Sequence, residues 1–211
     1  MLKGIMLIQD SQKALRQGRA AAALQQPLWD APGAPGLLRG RVHELCGPAR
    51  RSLAAMILGA HPPQTAPALW ILPRWQSERP HADGLADFTD PGRLLFAAAQ
   101  RPADLLWAME EALRAGCVSL VIADLPAPPG LTAIRRLQLA TEAGAKNTRE
   151  PPLGLILTPD QGGAPGVESR WHIGHRPGGW RLERVRSRME PPKTWLIDRQ
   201  DATADYAEPP P

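Results

Sequence analysis

Asp124 closes an apolar run, LVIAD, and Gly47, Pro48, Arg50, Arg51 and Ser52 follow another, VHELC. An acid after one strand and a glycine-bearing turn after another are the two halves of a nucleotide site in an α/β domain. The turn supplies backbone N–H groups and a lysine for the phosphates, and the acid holds magnesium. ELCGPARRSLAA is shorter than G-x-x-x-x-G-K-[ST] and lacks its second glycine and its lysine. Two readings stay open. Arg50 or Arg51 binds an anion at a helix N-terminus, or this is a plain strand-to-helix turn with two solvated arginines. After the next strand the chain reads PRWQ, and the nearest carboxylate, Glu78, falls in a loop. No base is placed to activate a water, so no catalytic residue is expected.

Other constellations carry less. His172 and His175 are three apart, which on a strand sends them to opposite faces, so no metal site is expected. Ser52 and Ser119 lack a nucleophile elbow. Cys46 and Cys117 sit in apolar runs and read as small buried hydrophobes of a cytoplasmic protein, not as a disulfide. The segment 169–188 holds Arg170, Arg176, Arg181, Arg184, Arg186 and Arg188 against Glu183, with Trp171 and Trp180 interleaved. Such a patch suits single-stranded DNA. It equally suits a solvated sheet face with its tryptophans in the core. The acidic tail, with Asp201, Asp205 and Glu208, is able to fold back on it.

The elements that would position these residues alternate. Strands are expected at 41–46, 68–73, 117–124 and 152–159, with a short strand or turn at 93–98. Helices are expected from Ser52 to Ala60, over 103–116 and over 131–145. In 103–116, Leu105, Met109, Ala112 and Leu113 share a face, with Glu110, Glu111 and Arg114 off it and Gly116 as the stop. This order predicts an α/β fold with a mostly parallel sheet flanked by helices. SRWHIGHRP, GGWRLERVRSR and TWLID add a C-terminal antiparallel strand extension. The expected organisation is an N-terminal helix in 1–26, a Pro/Gly linker at 27–39, a core domain at 40–198 and a disordered acidic tail at 199–211.

Composition bounds the classes. With 43% hydrophobic and 22% charged residues, the 211-residue chain is ordinary for a globular protein. The longest membrane candidate, LAAMILGA at 53–60, is far short of the ~20 residues a span needs. Arginine outnumbers lysine 21 to 4, yet the net charge is only +4, a weak pointer to acidic partners.

In order, these pieces resemble the ImuA family, recombinase-related proteins linked to damage-induced translesion DNA synthesis in bacteria. LLWAMEEALRAG (105–116), LTAIRRLQLATEAG (131–144) and the paired strands from Trp180 to Ile197 carry the resemblance, which covers 36–198. The same frame is similar to the core of the RecA recombinase, with GRVHELCGP as its first strand and loop entry and LVIAD as its magnesium-Asp strand. The resemblance implies a RecA-like core in which Gly47 and Pro48 are loop residues and Asp124 a relic metal ligand. The phosphate lysine has no counterpart, which implies an ATPase lost or crippled and no ATP or magnesium cofactor. Family members often carry a longer N-terminal region and linker than this chain.

The role implied is a non-catalytic accessory of SOS mutagenesis. Its partners would be ImuB (an inactive relative of Y-family polymerases), an error-prone C-family polymerase and RecA. It would be cytoplasmic, recruited to the nucleoid at damage. The alternatives are a weak ATP-binding protein, a DNA-binding module using the 170–188 arginines, and a division inhibitor like SulA, another degenerate RecA-like protein.

Overall fold

The computed structural model describes residues 25–61, 67–146 and 148–202. The N-terminal helix expected in 1–26 lies outside the described residues, except that Gln25 and Gln26 open a strand. Most of the tail at 199–211 lies outside them too.

The first departure from expectation comes at 27–39. Instead of a linker, β1 (Gln25–Pro27) and β2 (Gly36–Leu38) form an antiparallel hairpin. Pro and Gly shape its turn, and Leu28, Trp29 and Leu37 are buried in the main core. Burying each such side chain contributes roughly 1.5–3 kcal/mol, which holds a Pro/Gly-rich segment that local propensity alone would leave loose.

Among the described residues the main sheet has eight strands: β3 (Val42–Cys46), β4 (Ala68–Pro73), β5 (Leu94–Ala99), β6 (Leu120–Asp124), β7 (Leu153–Thr158), β8 (Ser169–Arg176), β9 (Gly179–Ser187) and β10 (Lys193–Asp198). Their spatial order is β10-β9-β8-β3-β7-β6-β4-β5. Pairing is parallel from β8 through β5 and antiparallel among β8, β9 and β10. This is the α/β architecture with an antiparallel extension that the alternation predicts. Strands β3, β6 and β7 are buried throughout, as continuous apolar runs in a parallel sheet should be.

Helices cover both faces. On one, α1 (Arg50–Gly59) and the short α2 (Ala82–Ala86) join the hairpin over a core that includes Trp70, Trp171 and Leu182. On the other, α3 (Pro102–Ala115) and α4 (Leu131–Ala145) pack on Val42, Ile71, Val121 and Ile156. A brief α5 (Arg199–Ala202) follows β10. Pro102 opens α3, and Gly116 at φ 67° closes it in the left-handed conformation. Gly144 lets α4 approach α3, because a Cβ there would overlap the Leu113 carbonyl oxygen. Glu110 corrects the helical-face expectation. It is buried in the α3–α4 seam, ion-paired to Arg114 and, at 2.8 Å, to Arg136. Cys117 is corrected as well: it is exposed, while Cys46 is buried as expected.

A buried polar cluster ties the hairpin to the sheet. Arg39 donates to Gln26 Oε1 at 3.0 Å, to Ser119 O at 3.0 Å and to Pro151 O at 3.1 Å, and pairs with Glu150 at 3.2 Å. Burial lowers its pKa, with Glu150 opposing. His61 joins through Gln26 Oε1 at 2.8 Å and Ser119 Oγ at 2.7 Å. A neutral ring with its proton on Nδ1 donates to Gln26 and accepts from Ser119. Burial, with Arg39 and Arg93 nearby, lowers the His61 pKa to about 4. Burial also takes His43 to about 4, where its ring bridges Leu38 O at 2.9 Å and Ser169 Oγ at 2.6 Å.

Both folded pKa values lie below the unfolded ~6.5. The unfolded chain therefore binds more protons between about pH 6.5 and 4, and stability falls as pH falls through that window. Each ring contributes on the order of 3 kcal/mol to this loss. Urea unfolding from pH 7 to 4 should show it, and His61→Gln should remove about half of the histidine-dependent slope. An unchanged slope in His61→Gln would contradict this account.

Candidate functional site

The turn after β3 is tightly constrained by its surroundings. Gly47 adopts φ 92°, and a Cβ there would collide with Ile173 O and the His172 ring. Only glycine fits that left-handed approach. The Ala49 N–H donates to Ile173 O at 3.3 Å, and the Arg50 N–H donates back to Gly47 O at 3.4 Å. In a phosphate-binding loop such amides point at the ligand. Pro48 is exposed, and Ser52 is half-buried within α1. Arg50 folds back through Nη1 to Gly47 O at 3.2 Å.

Arg51 and Asp124 meet. Arg51 Nε donates to Asp124 Oδ2 at 2.6 Å, and its Nη1 lies 3.5 Å from Glu78 Oε2. Asp124 is 1% exposed, so its charge is taken up inside the protein by an arginine from the first turn of α1. The turn and the acid are brought together at the carboxyl ends of β3 and β6, as the fold requires. What joins them is an ion pair. Magnesium would have to compete with a guanidinium for the same carboxylate. With the Ala49 and Arg50 amides turned inward and no lysine, this donor set does not fit a magnesium nucleotide. Among the described residues no group of three His, Cys, Asp or Glu side chains is arranged to hold a metal.

The arginine segment divides. Arg170 Nε pairs with Glu44 Oε2 at 2.5 Å, and its Nη2 donates to Ala164 O at 3.0 Å. Arg184 is 6% exposed and burial lowers its pKa. Its guanidinium lies 5.5 Å from the Trp171 ring centroid and 5.3 Å from that of Trp195, and it pairs with Glu190. Both side chains are thus engaged within the fold, Arg170 partly and Arg184 almost wholly buried. A bulge between Arg170 and Trp171 sets Arg170 beside Arg186 and Trp171 beside Arg184. Arg181, Arg186 and Arg188 are exposed; Arg181 pairs with Glu183, and Arg188 lies 3.8 Å from Glu168. His172 and His175 fall on opposite faces as expected.

Two buried groups escaped the sequence reading. Glu44, with no exposure, accepts from Thr158 Oγ1 at 2.7 Å, Gly163 N at 2.9 Å and Ala164 N at 3.1 Å, besides Arg170. Ser169 donates to His43 and accepts from Trp171 Nε1 at 2.7 Å. That serine–histidine contact has nucleophile chemistry in its residue types. Here the hydroxyl is buried and engaged as both donor and acceptor, and the histidine's other nitrogen serves Leu38 O. Charge inside an apolar run was the available signal for Glu44; nothing local marks Ser169.

The curated protein ImuA of Caulobacter vibrioides, in two strains, is 33% identical over 144 residues, covering 57% of this chain and 57% of the relative. The chain is similar to ImuA. This supports the family resemblance read from its motifs, and the match spans a little over half the length of those curated relatives. No protein-family profile matches the chain. Among the described residues no helix is long and apolar enough to cross a membrane.

The ion pair between Arg51 and Asp124 makes a stability prediction. Arg51→Ala leaves a buried carboxylate without its cation and should cost about 3–5 kcal/mol. Arg51→Met with Asp124→Leu removes both charges and should recover most of it. Urea unfolding of the two variants and the parent measures this; equal losses in both would mean the pair is unimportant.

Proposed function

We propose that this chain is a non-catalytic accessory protein of damage-induced mutagenic DNA synthesis, the system its ImuA resemblance points to. Its work is done through protein contacts. By that resemblance, the partners are an ImuB-type polymerase homologue, an error-prone C-family polymerase and RecA. The observation that carries the non-catalytic part is the Arg51–Asp124 contact at 2.6 Å. It spends the acid of the strand end on an internal partner. That both apolar cores are filled by side chains of the chain itself supports a fold that needs no nucleotide.

A nucleic-acid face built on the whole 170–188 segment is disfavoured by the burial of Arg184 and the pairing of Arg170. A weak ATP site is disfavoured by the inward hydrogen bonds of the Gly47 turn.

Two measurements test the reading. A deletion strain should lose damage-induced mutation while constitutive growth is normal. The Arg51→Met/Asp124→Leu protein should restore it in full. Loss of complementation by a folded double variant would show that this site works as more than structure. In parallel, a fluorescent ATP analogue should show no saturable binding up to about 1 mM. Saturation at micromolar nucleotide, abolished in the double variant, would reinstate the ATP reading.

A further inference from the structure

Among the described residues strand β5 is an edge of the sheet, paired only with β4, and its sequence does nothing to defend it. Leu94–Ala99 reads LLFAAA, without charge or proline. Exposed edges ordinarily carry such blocking devices. Neighbouring residues of a strand point to opposite faces, yet Leu95 is 51% and Phe96 50% exposed. Both faces are therefore open along this edge.

One hydrogen bond tells which backbone groups are free. The Arg74 N–H donates to Ala99 O at 2.8 Å, so Ala99 turns its polar groups toward β4. Alternation turns Ala97 and Leu95 the same way and directs those of Leu94, Phe96 and Ala98 outward. Leu94 N–H already donates to Pro91 O. Phe96 and Ala98 are left as the outward pair.

We propose that a second copy of this chain covers β5, joining two eight-stranded sheets into one through an antiparallel two-fold contact. Two-fold pairing must set outward residue against outward residue. Phe96 against the second copy's Ala98, repeated by symmetry, closes two hydrogen-bonded residue pairs, with Ala97 facing its own copy on the axis. In this register the bulky half of LLFAAA meets the small half: Phe96 lies beside Ala98, and Leu95 beside Ala99. The match is also electrostatic, since neither strand brings a charge into the contact and Arg101 beyond it keeps its own Asp104 at 2.8 Å. A contact through one strand edge belongs with weak, reversible interfaces, so the dimer should form in the micromolar range or above.

Sedimentation equilibrium of the full chain from about 1 to 200 µM should show a monomer passing to a dimer. Ala98→Pro removes an outward N–H and leaves the bonds to β4 intact, so it should weaken the dimer about tenfold or more. Should that variant unfold, cysteine pairing decides. With exposed Cys117 changed to Ser, Ala97→Cys should form a disulfide-linked dimer under mild oxidation, and Leu95→Cys should not. A monomer at every concentration overturns the proposal. So does a dimer indifferent to Ala98→Pro, equal cross-linking at 95 and 97, or an edge occupied only by an extended segment of a different protein.

Discussion

A carboxylate wholly removed from water organises the centre of this molecule. Glu44 sits in β3, between β7 and β8. Taking such a charge out of water costs several kcal/mol unless its oxygens are fully satisfied. Thr158 on β7, the Gly163 and Ala164 amides and Arg170 on β8 supply that satisfaction. Those amides are available only because the preceding loop turns through left-handed positions at Asp160, Gly162 and Gly163. The same loop delivers the chain to β8, where the parallel sheet passes into its antiparallel extension. Strand order, loop shape and the start of the extension thus answer to one buried charge.

The pattern recurs. Arg39 gathers the hairpin and the entries to β6 and β7, Gln26 ties the hairpin to α1 at Ile57 O, and Arg51 joins α1 to the end of β6. Arg184 is layered with two tryptophans under the antiparallel strands. Planar, always-charged guanidinium groups suit such bridging, because each donates in several fixed directions. A chain rich in arginine is using several of them as internal ties, which is why its composition overstated the charge available to a polyanion.

The sheet was legible because each parallel strand is an apolar run and each long helix has a regular face. VHELC, LVIAD and LGLILT announce themselves. The hairpin at 27–39 was not legible. Its prolines and glycines signal a loop, and only the distant core tells Leu28, Trp29 and Leu37 to stay. Glu110 was placed outward by its charge, though Arg114 and Arg136, one of them on another helix, pay for its burial. Cys117 sits just before β6 rather than in it, so the run that suggested burial began too early. At the candidate site the residue types were readable and their use was not. Asp124 and Arg51 lie 73 positions apart, and no local pattern reports that they touch.

That contact also shapes how the sequence can drift. Replacing Arg51 strands a buried anion, and replacing Asp124 strands the cation beside it. A path from this turn to a metal-holding one must change both residues and free the loop amides as well. Each intermediate along the way is less stable than either end. Mutation by single steps therefore meets a valley, and the ion pair acts as a ratchet that keeps descendants of this chain in its present form.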